Sequence, residues 1–302
     1  MNAPGTAPPH QGSTQSGPFG SALSVSEFAA LNAAGVFPVA AVMGCDLESD
    51  YVDLPLLTPQ PATKASPSPY GSSNTYGGRY EPVGVSELDQ MVNESRNRAL
   101  TRLRDEAATV GANVVLGIRQ IQTTAAEGIW SQVAGHRRDG QHRRLRYRPI
   151  IDYQLVGTAV RDPALTVSEP CLTTFSATDF CKLRDAGWRP AGIVAGCSHW
   201  FGVTALPGVS AREITSATAL WANARAHAFE QARTEMTALG AQAMIGLDVE
   251  DESAAYERNA SSFSQALWTH AVLVTVSAIA NAIERAPTLK AVQPPMRILT
   301  LQ

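Results

Sequence analysis

The chain has 302 residues, of which 44% are hydrophobic and 17% are charged, and its formal net charge is −3. This composition is typical of a globular protein, and the length suggests two domains of ordinary size. The small negative charge provides no overall attraction to nucleic acid or to an anionic membrane. No apolar run has the length of a membrane span, and the first residues lack the features of a signal peptide. We therefore expect a cytoplasmic protein whose four cysteines are reduced thiols.

The N-terminal part of the chain predicts a tail, a short helix and a strand. Residues 1–22 are rich in Gly, Pro, Ser and Thr, and they offer too little apolar surface to offset the entropy of ordering, which predicts disorder. Ser24 and Glu27 have the spacing of a helix capping box. The helix that follows should end at Gly35, and the apolar run at residues 36–45 predicts a buried strand.

A long amphipathic helix is the clearest element of the sequence. Ser86 is expected to cap its N terminus, and Gly111 to end it in the left-handed conformation. Residues 112–118 then form a short apolar run of strand length. The helix assignment depends on small or apolar residues that recur every three or four positions, namely Leu88, Met91, Val92, Ser95, Ala99, Leu103, Ala107 and Val110.

Both patterns recur in the second half of the chain. Residues 175–197 align without a gap with residues 23–45, matching the cap, the core positions, the glycine stop and the strand. Residues 215–250 repeat the helix, glycine and strand of residues 86–120. Recurrence at these structurally important positions predicts an internal duplication.

The expected domains follow from this repeat. The first copy spans residues 23–165 and the second spans residues 170–286, and each should contain a short helix, a strand, a long helix and a β-hairpin. The first copy includes a loop at residues 46–85, which we interpret as a mobile insertion or a functional loop. Residues 287–302 form a C-terminal tail, which is either frayed or a strand that docks on a partner.

The hairpin of the first copy carries an arginine-rich segment at residues 136–148. Its Asp139-Gly140 pair favours a two-residue turn that pairs residues 121–138 with residues 141–160. The segment is a candidate site for an anionic partner or nucleic acid, or a solvated hairpin whose charges protect a sheet edge. The candidate binding residues are Arg143, Arg144, Arg146 and Arg148, together with Tyr147, which could stack on a base.

A candidate metal site lies at the end of the second copy's first strand. Cys197 and His199 are two residues apart, and Cys181 lies upstream; such ligands suit zinc or copper(I). The sequence contains no C-x-x-C pair, so the competing interpretation is a cysteine buried as a small hydrophobic residue. No catalytic motif occurs in the chain, so we predict no enzymatic activity.

The small-residue motifs resemble those of the YbjQ-like family. The first copy has Val-Gly-Ala at residues 110–112, Gly117, and Gly-Thr-Ala-Val at residues 157–160. The second copy has Leu-Gly-Ala at residues 239–241 and Gly246, but it departs from the final motif. The resemblance implies a two-layer, dodecin-like β-α-β-β fold and assembly into rings that are typically pentameric. The family is labelled as heavy-metal-binding, and the resemblance implies no enzymatic activity.

Together these observations predict an α+β protein of two tandem dodecin-like domains, each preceded by a short helix and built on an antiparallel sheet. We expect a non-enzymatic, ring-forming homo-oligomer, a pentamer of ten domains, that binds a protein or an anionic partner. The alternative function is binding or sensing of zinc or copper through Cys197 and His199. No other cofactor is predicted.

Overall fold

The computed structural model describes residues 22–54, 82–127, 145–203, 215–258 and 269–286. It shows an α+β fold with antiparallel sheets, as predicted. The helices are α1 Val25–Ala33, α2 Ser86–Thr109, α3 Ala177–Asp185 and α4 Thr215–Ala238. The strands are β1 Phe37–Ser49, β2 Val52–Leu54, β3 Val83–Gly84, β4 Val114–Glu127, β5 Leu145–Arg161, β6 Cys171–Leu172, β7 Trp188–Val203, β8 Ala243–Arg258 and β9 Thr269–Arg285.

The strands form two sheets. The last strand of each half of the chain, β5 in the first half and β9 in the second, lies between two other strands of its sheet. The first sheet has the order β1-β5-β4-β6, and β2 also pairs with β5. The second has the order β3-β7-β9-β8. All pairings are antiparallel except that of β6 with β4. Because β3 precedes α2 in the chain, the second sheet includes a strand from the first half.

The two sheets share irregularities at corresponding places. The β4–β5 register shifts between Leu116 and Arg119, and the β8–β9 register shifts between Ile245 and Asp248. A glycine with positive φ lies inside each interruption, at 62° in the first sheet and 64° in the second. Only glycine adopts this conformation without a steric cost, which explains why both bulges contain it.

Each long helix packs closely on the first strand of its own half. A Cβ atom added at Gly44 would lie 2.1 Å from the carbonyl oxygen of Ala99 in α2. One added at Gly196 would lie 2.0 Å from the carbonyl oxygen of Ala228 in α4. The absence of side chains at these two strand positions therefore allows the helix backbone to approach the sheet.

The largest core cluster spans both halves of the chain. It contains the apolar face of α2, residues of the first sheet such as Val115 and Leu155, and Cys197, Phe201 and Leu273 of the second sheet. Helix α2 is therefore shared between the two sheets, whereas the core cluster around α4 is built from α4 and the second sheet.

Helix ends agree with the sequence in one case and differ in another. Ser24 and Glu27 form the predicted capping box of α1. Helix α2 begins at Ser86, but its N-cap residue is Val85 and no side chain caps it, so the prediction of Ser86 as the cap was wrong. The N–H of Val85 instead donates to the carbonyl oxygen of His199, because the pairing of β3 with β7 continues up to the helix start.

The predictions for the first loop and hairpin also need correction. Strand β1 continues to Ser49, and β2 and β3 occupy further parts of the range 46–85, so this segment is not loop throughout. Strands β4 and β5 pair as predicted, but Ile121 faces Gln154, whereas the Asp139-Gly140 turn would place it opposite the end of β5. The turn itself, both predicted tails and the rest of the arginine-rich segment before residue 145 lie outside the described residues.

Within the described residues, no helix combines the length and the apolar character needed to span a bilayer.

Candidate functional site

Helix α2 carries a polar stripe on the side that faces the second half of the chain. Asp89, Asn93 and Arg96 are spaced by four and three residues, which places them on one helical face. The Nδ2 of Asn93 lies 3.5 Å from Oε1 of Gln231, and Nη2 of Arg96 lies 2.5 Å from Oε1 of Glu235. Both partners belong to α4, so long polar side chains connect the two long helices.

At the start of this stripe, polar contacts connect the buried residues Asp89 and His199 to the half-exposed His227. Asp89 Oδ1 accepts a hydrogen bond from the backbone N–H of His199 at 2.6 Å and lies 2.8 Å from its Nδ1. The other ring nitrogen of His199 lies 3.9 Å from Sγ of Cys197. Asp89 Oδ2 lies 3.6 Å from Nδ1 of His227, which in turn is 3.0 Å from Oγ of Ser198.

The charge state of His199 follows from these contacts. Burial by itself lowers the pKa of this imidazole, because it disfavours the charged form. The electrostatic interactions and hydrogen bonds with Cys197 and Asp89 outweigh burial and raise the pKa to about 9. His199 is therefore an imidazolium at neutral pH, and Asp89 is its counter-ion on the neighbouring helix.

The predicted metal ligands Cys197 and His199 are thus adjacent, and their geometry can be compared with known sites. Zinc–sulfur and zinc–nitrogen bonds of about 2.3 and 2.0 Å bring two such donors to nearly this separation. Asp89 holds the second ring nitrogen, as carboxylates commonly do behind a ligating histidine. However, the described residues contain no group of three or more His, Cys, Asp or Glu side chains able to hold a metal. The pair fits a soft ion with two protein ligands better than a structural zinc site, which takes four.

The third predicted ligand, Cys181, lies elsewhere in the molecule. Its thiol is 3.9 Å from the carbonyl oxygen of Ala30, where α3 packs on α1. It belongs to the core cluster of Leu31 and Phe180, and burial raises the pKa of its thiol. The structure therefore brings Cys197 and His199 together but leaves Cys181 with the two short helices.

The predicted anion-binding residues are described in part. Arg143 and Arg144 lie outside the described residues. Arg146 and Tyr147 occupy β5, where they pair with strand β2, which no motif had suggested. Their role in binding an anionic partner stays a prediction.

Arg148 makes two local contacts at the end of the first sheet. Its Nε donates a hydrogen bond to Oγ of Ser49 at 3.1 Å, and its guanidinium carbon lies 5.4 Å from the centre of the Tyr51 ring. These contacts hold the arginine against strand β1 and the residues after it. Any anion bound by Arg148 would have to share this side chain with Ser49 and Tyr51.

Sequence reasoning missed the buried residues Asp89 and Arg96 and the half-exposed His227 as members of this polar group. The stripe on α2 was visible as polar residues at helical spacing beside the apolar face. It was not interpreted because the partner residues lie 110 or more positions away in the chain. A polar stripe flanking an apolar one is the signal that could have indicated a second packed face.

The outer face of strand β7 is covered by α2, whereas the corresponding face of β1 is open. Residues of β7 on this face are 2–3% exposed. The residues of β1 that occupy the same positions in the alignment of the two halves include side chains that are 54% and 70% exposed. Large apolar groups exposed in this way often mark a contact surface. The buried residues are Ala195, Cys197 and His199, and the counterparts are Met43, Cys45 and Leu47.

The long helices show the complementary difference. Arg96 of α2 is 3% exposed, but its counterpart Arg225 of α4 has a side chain that is 54% exposed. Ala222, at the position of Asn93, is exposed as well. The second face of α2 is therefore buried against β7 and α4, whereas the same face of α4 is open.

Comparison with known proteins gives a partial match. Residues 73–135 match the sequence profile of the YbjQ family, described as "Putative heavy-metal-binding". A protein from Methanoregula boonei, named only "UPF0145 protein", is 36% identical over 52 residues, which are 17% of this chain and 42% of that relative. The aligned part thus spans less than half the length of the relative. No solved structure shows significant similarity.

Proposed function

We propose that this protein is a non-enzymatic scaffold that assembles head to tail into a closed ring through the open faces of β1 and α4. One observation carries the proposal. Within the chain, helix α2 of the first half covers the outer face of β7 in the second half. The corresponding surfaces, on helix α4 and on the outer face of β1, are both open in the single chain. A contact between two different surfaces produces rings when the rotation closes.

The internal contact has three components. Strand β3 pairs with β7, Asp89 binds the backbone and ring of His199, and Arg96 forms an ion pair with Glu235. All three place elements of the first half on the first strand and long helix of the second half. We propose that the two halves arose by duplication and are equivalent successive units of the ring.

The contact between chains would repeat this arrangement. Helix α4 of one chain would lie on the outer face of β1 of the next, covering Met43 and Leu47. Arg225 would approach Glu106, which corresponds to Glu235. The two glutamates already act alike, since Glu106 accepts from the N–H of Met43 at 2.6 Å and Glu235 accepts from the N–H of Ala195 at 2.8 Å. The family resemblance implies a pentamer, and therefore a ring of ten domains.

Light scattering coupled to size exclusion tests this assembly. We expect a mass of five chains at micromolar concentration, and a monomer would overturn the proposal. Replacing Leu47 by Asp should reduce the mass while leaving the circular dichroism spectrum unchanged, since the side chain is 70% exposed in the single chain. Val25→Asp is the matched control, because Val25 is 88% exposed on α1 and lies outside the proposed contact.

A second candidate function is the binding of a soft heavy-metal ion by Cys197 and His199. It is favoured by the 3.9 Å separation of Sγ and Nε2 and by the carboxylate of Asp89 behind the ring. His199 must lose its proton to act as a ligand, so binding would release a proton and strengthen as the pH rises.

Metal titration distinguishes this second function from a packing role. Chelator-free protein and the Cys197→Ser variant would be titrated with copper(I) or zinc and analysed for bound metal. Binding of one equivalent by the wild type and loss of binding in the variant would support the function. Less than about a tenth of an equivalent in the wild type would leave Cys197 and His199 as packing residues. Cys181→Ser is the control, because Cys181 lies in a different cluster.

A further inference from the structure

A cavity of about 390 Å³ lies where α2 meets both sheets. This volume is within the range of small-molecule sites in proteins. Its walls come from α2, β4, β5, β7, β8 and β9, so they belong to both halves of the chain. The apolar part of the lining is formed by Leu100, Ile118, Leu155, Ile193 and Ile279.

Arg96 gives the cavity a buried cationic group with spare hydrogen-bonding capacity. The residue lines the cavity and is 3% exposed. Its Nη2 is bound to Glu235, but its Nε is buried and has no hydrogen-bond partner. A buried donor of a charged group without a partner carries a desolvation cost, and a negative charge in the cavity would offset part of it.

Charged groups of both signs complete the lining. Arg119 comes from β4, and Asp248 and Glu250 come from β8. All three residues are exposed, and no salt bridge among the described residues joins Arg119 to either carboxylate. Arg96 is paired with Glu235, and Arg119 interacts electrostatically with Glu27, but neither glutamate is part of the lining. The cavity therefore presents two cationic groups and two carboxylates to one ligand.

We propose that this cavity binds a small zwitterion with an apolar body, of the α-amino acid class. The carboxylate of the ligand would lie beside the guanidinium group of Arg96 and pair with Arg119. Its ammonium group would pair with Asp248 and Glu250, and its side chain would contact the apolar wall. A simple anion would be repelled by the two carboxylates, and a simple cation would be repelled by Arg96 and Arg119, so the mixed lining favours the zwitterion.

Calorimetric titration of the full-length protein with three matched probes tests the proposal. L-phenylalanine carries both charges, 3-phenylpropanoate lacks the ammonium group, and 2-phenylethylamine lacks the carboxylate. We expect saturable binding of L-phenylalanine and at least tenfold weaker binding of the other two. The absence of saturable binding of L-phenylalanine at millimolar concentration, or equal affinity for all three, would overturn the proposal.

Exposed residues supply variants that do not endanger folding. Asp248→Asn should weaken the binding of L-phenylalanine by fivefold or more and should not weaken the binding of 3-phenylpropanoate, whereas Arg119→Gln should weaken the binding of both. Arg233→Gln is the control, because Arg233 is an exposed arginine of α4 that is not part of the cavity lining. If Asp248→Asn and Arg119→Gln both bind L-phenylalanine as tightly as Arg233→Gln does, the ligand does not bind in this cavity and the proposal is wrong.

Discussion

At the scale of single residues, His199 links the packing of α2 on β7 to the protonation of one buried ring. Its imidazolium interacts with Asp89 on the helix and with Cys197 on the same strand, and both residues are buried. A buried ion pair of this kind gives little net stability, because desolvation offsets attraction, but losing one of its charges is costly. The pair therefore specifies how α2 sits on the second sheet and makes this contact sensitive to pH.

We predict that the free energy of unfolding falls as the pH rises from about 6.5 to about 9. The pKa of His199 is higher in the folded than in the unfolded chain, so its contribution is complete below the unfolded value and is lost as pH passes the folded one. The slope can reach about 1.4 kcal/mol per pH unit. Urea denaturation at several pH values measures it. This pH dependence should vanish in the His199→Gln variant. If it persists there, another titrating group causes it, and the Cys197→Ser variant tests whether that group is Cys197.

Gly196 provides a second prediction at this scale. In Gly196→Ala the new Cβ would lie 2.0 Å from the carbonyl oxygen of Ala228, which is backbone and cannot rotate away. Helix α4 must then move off the sheet, and overpacking of this kind typically costs about 1–3 kcal/mol. Thermal or urea denaturation checks the loss. Gly84→Ala is the matched control, because its Cβ would be 3.7 Å from the Trp200 ring, an ordinary contact, and it should change stability much less.

At the scale of elements, α2 differs from α4 in having two buried faces. The apolar face packs on the first sheet, and the polar stripe packs on the second sheet and α4. The stripe fixes the relative position of the two long helices through pairs of side chains. One of these pairs is an ion pair, in which the buried guanidinium of Arg96 binds the partly exposed carboxylate of Glu235.

Removing the anion from this pair should destabilise the contact between the halves. Glu235→Gln leaves the Arg96 guanidinium buried without a counter-ion and weakens the acceptor for the N–H of Ala195. We expect a loss of about 1–3 kcal/mol in urea denaturation, the range for hydrogen bonds to charged groups. The control Glu230→Gln removes an exposed partner of Arg233 and should change stability by less than about 0.5 kcal/mol. Equal effects of the two variants would show that the buried pair has no special role.

The elements themselves were largely predictable, but their contacts were not. Periodic apolar residues located both long helices, and glycines after them marked where they end; Gly111 has a φ of 74° and Gly240 of 66°. These signals depend on neighbours in the sequence. The hairpin register was missed, because the Asp139-Gly140 turn would place Ile121 opposite Thr158, whereas Ile121 faces Gln154. The bulge at Gly117 shifts the pairing by one residue on the side of Ile121 away from the turn, so it does not account for this difference.

The site was less predictable than the fold for a related reason. The proximity of Cys197 and His199 followed from their positions on one strand. Asp89 reaches His199 only because α2 crosses to the second sheet, a tertiary arrangement with no local sequence signal. For the same reason the sequence grouped Cys181 with Cys197, although the two lie in different core clusters.

At the scale of the whole molecule, the two halves contain similar elements but expose different surfaces. The first half has an open strand face and a covered helix face, whereas the second half has the reverse. A chain of this kind resembles two adjacent units taken from a longer array. In the proposed ring these surfaces would be complementary in charge, since Arg225 on α4 would face Glu106 on the next chain.

This complementarity gives the sharpest prediction about assembly. Arg225→Glu and Glu106→Arg should each place like charges together at every contact between chains and lower the mass seen by sedimentation velocity. The double variant restores an opposite pair with reversed polarity, so it should regain the larger mass; this non-additivity is expected only of residues in contact. Within a single chain Arg225 pairs with Asp251, and Glu106 accepts from the N–H of Met43.

The control and the contrary outcome make this test specific. Lys182→Glu reverses an exposed charge on α3, outside the proposed contact, and should leave the mass unchanged. If the double variant stays dissociated like the single ones, Arg225 and Glu106 are not partners. If the wild type is oligomeric and neither single variant changes its mass, the chains associate through other surfaces. In the proposed ring, reversing either charge would weaken every contact between chains and lower the mass.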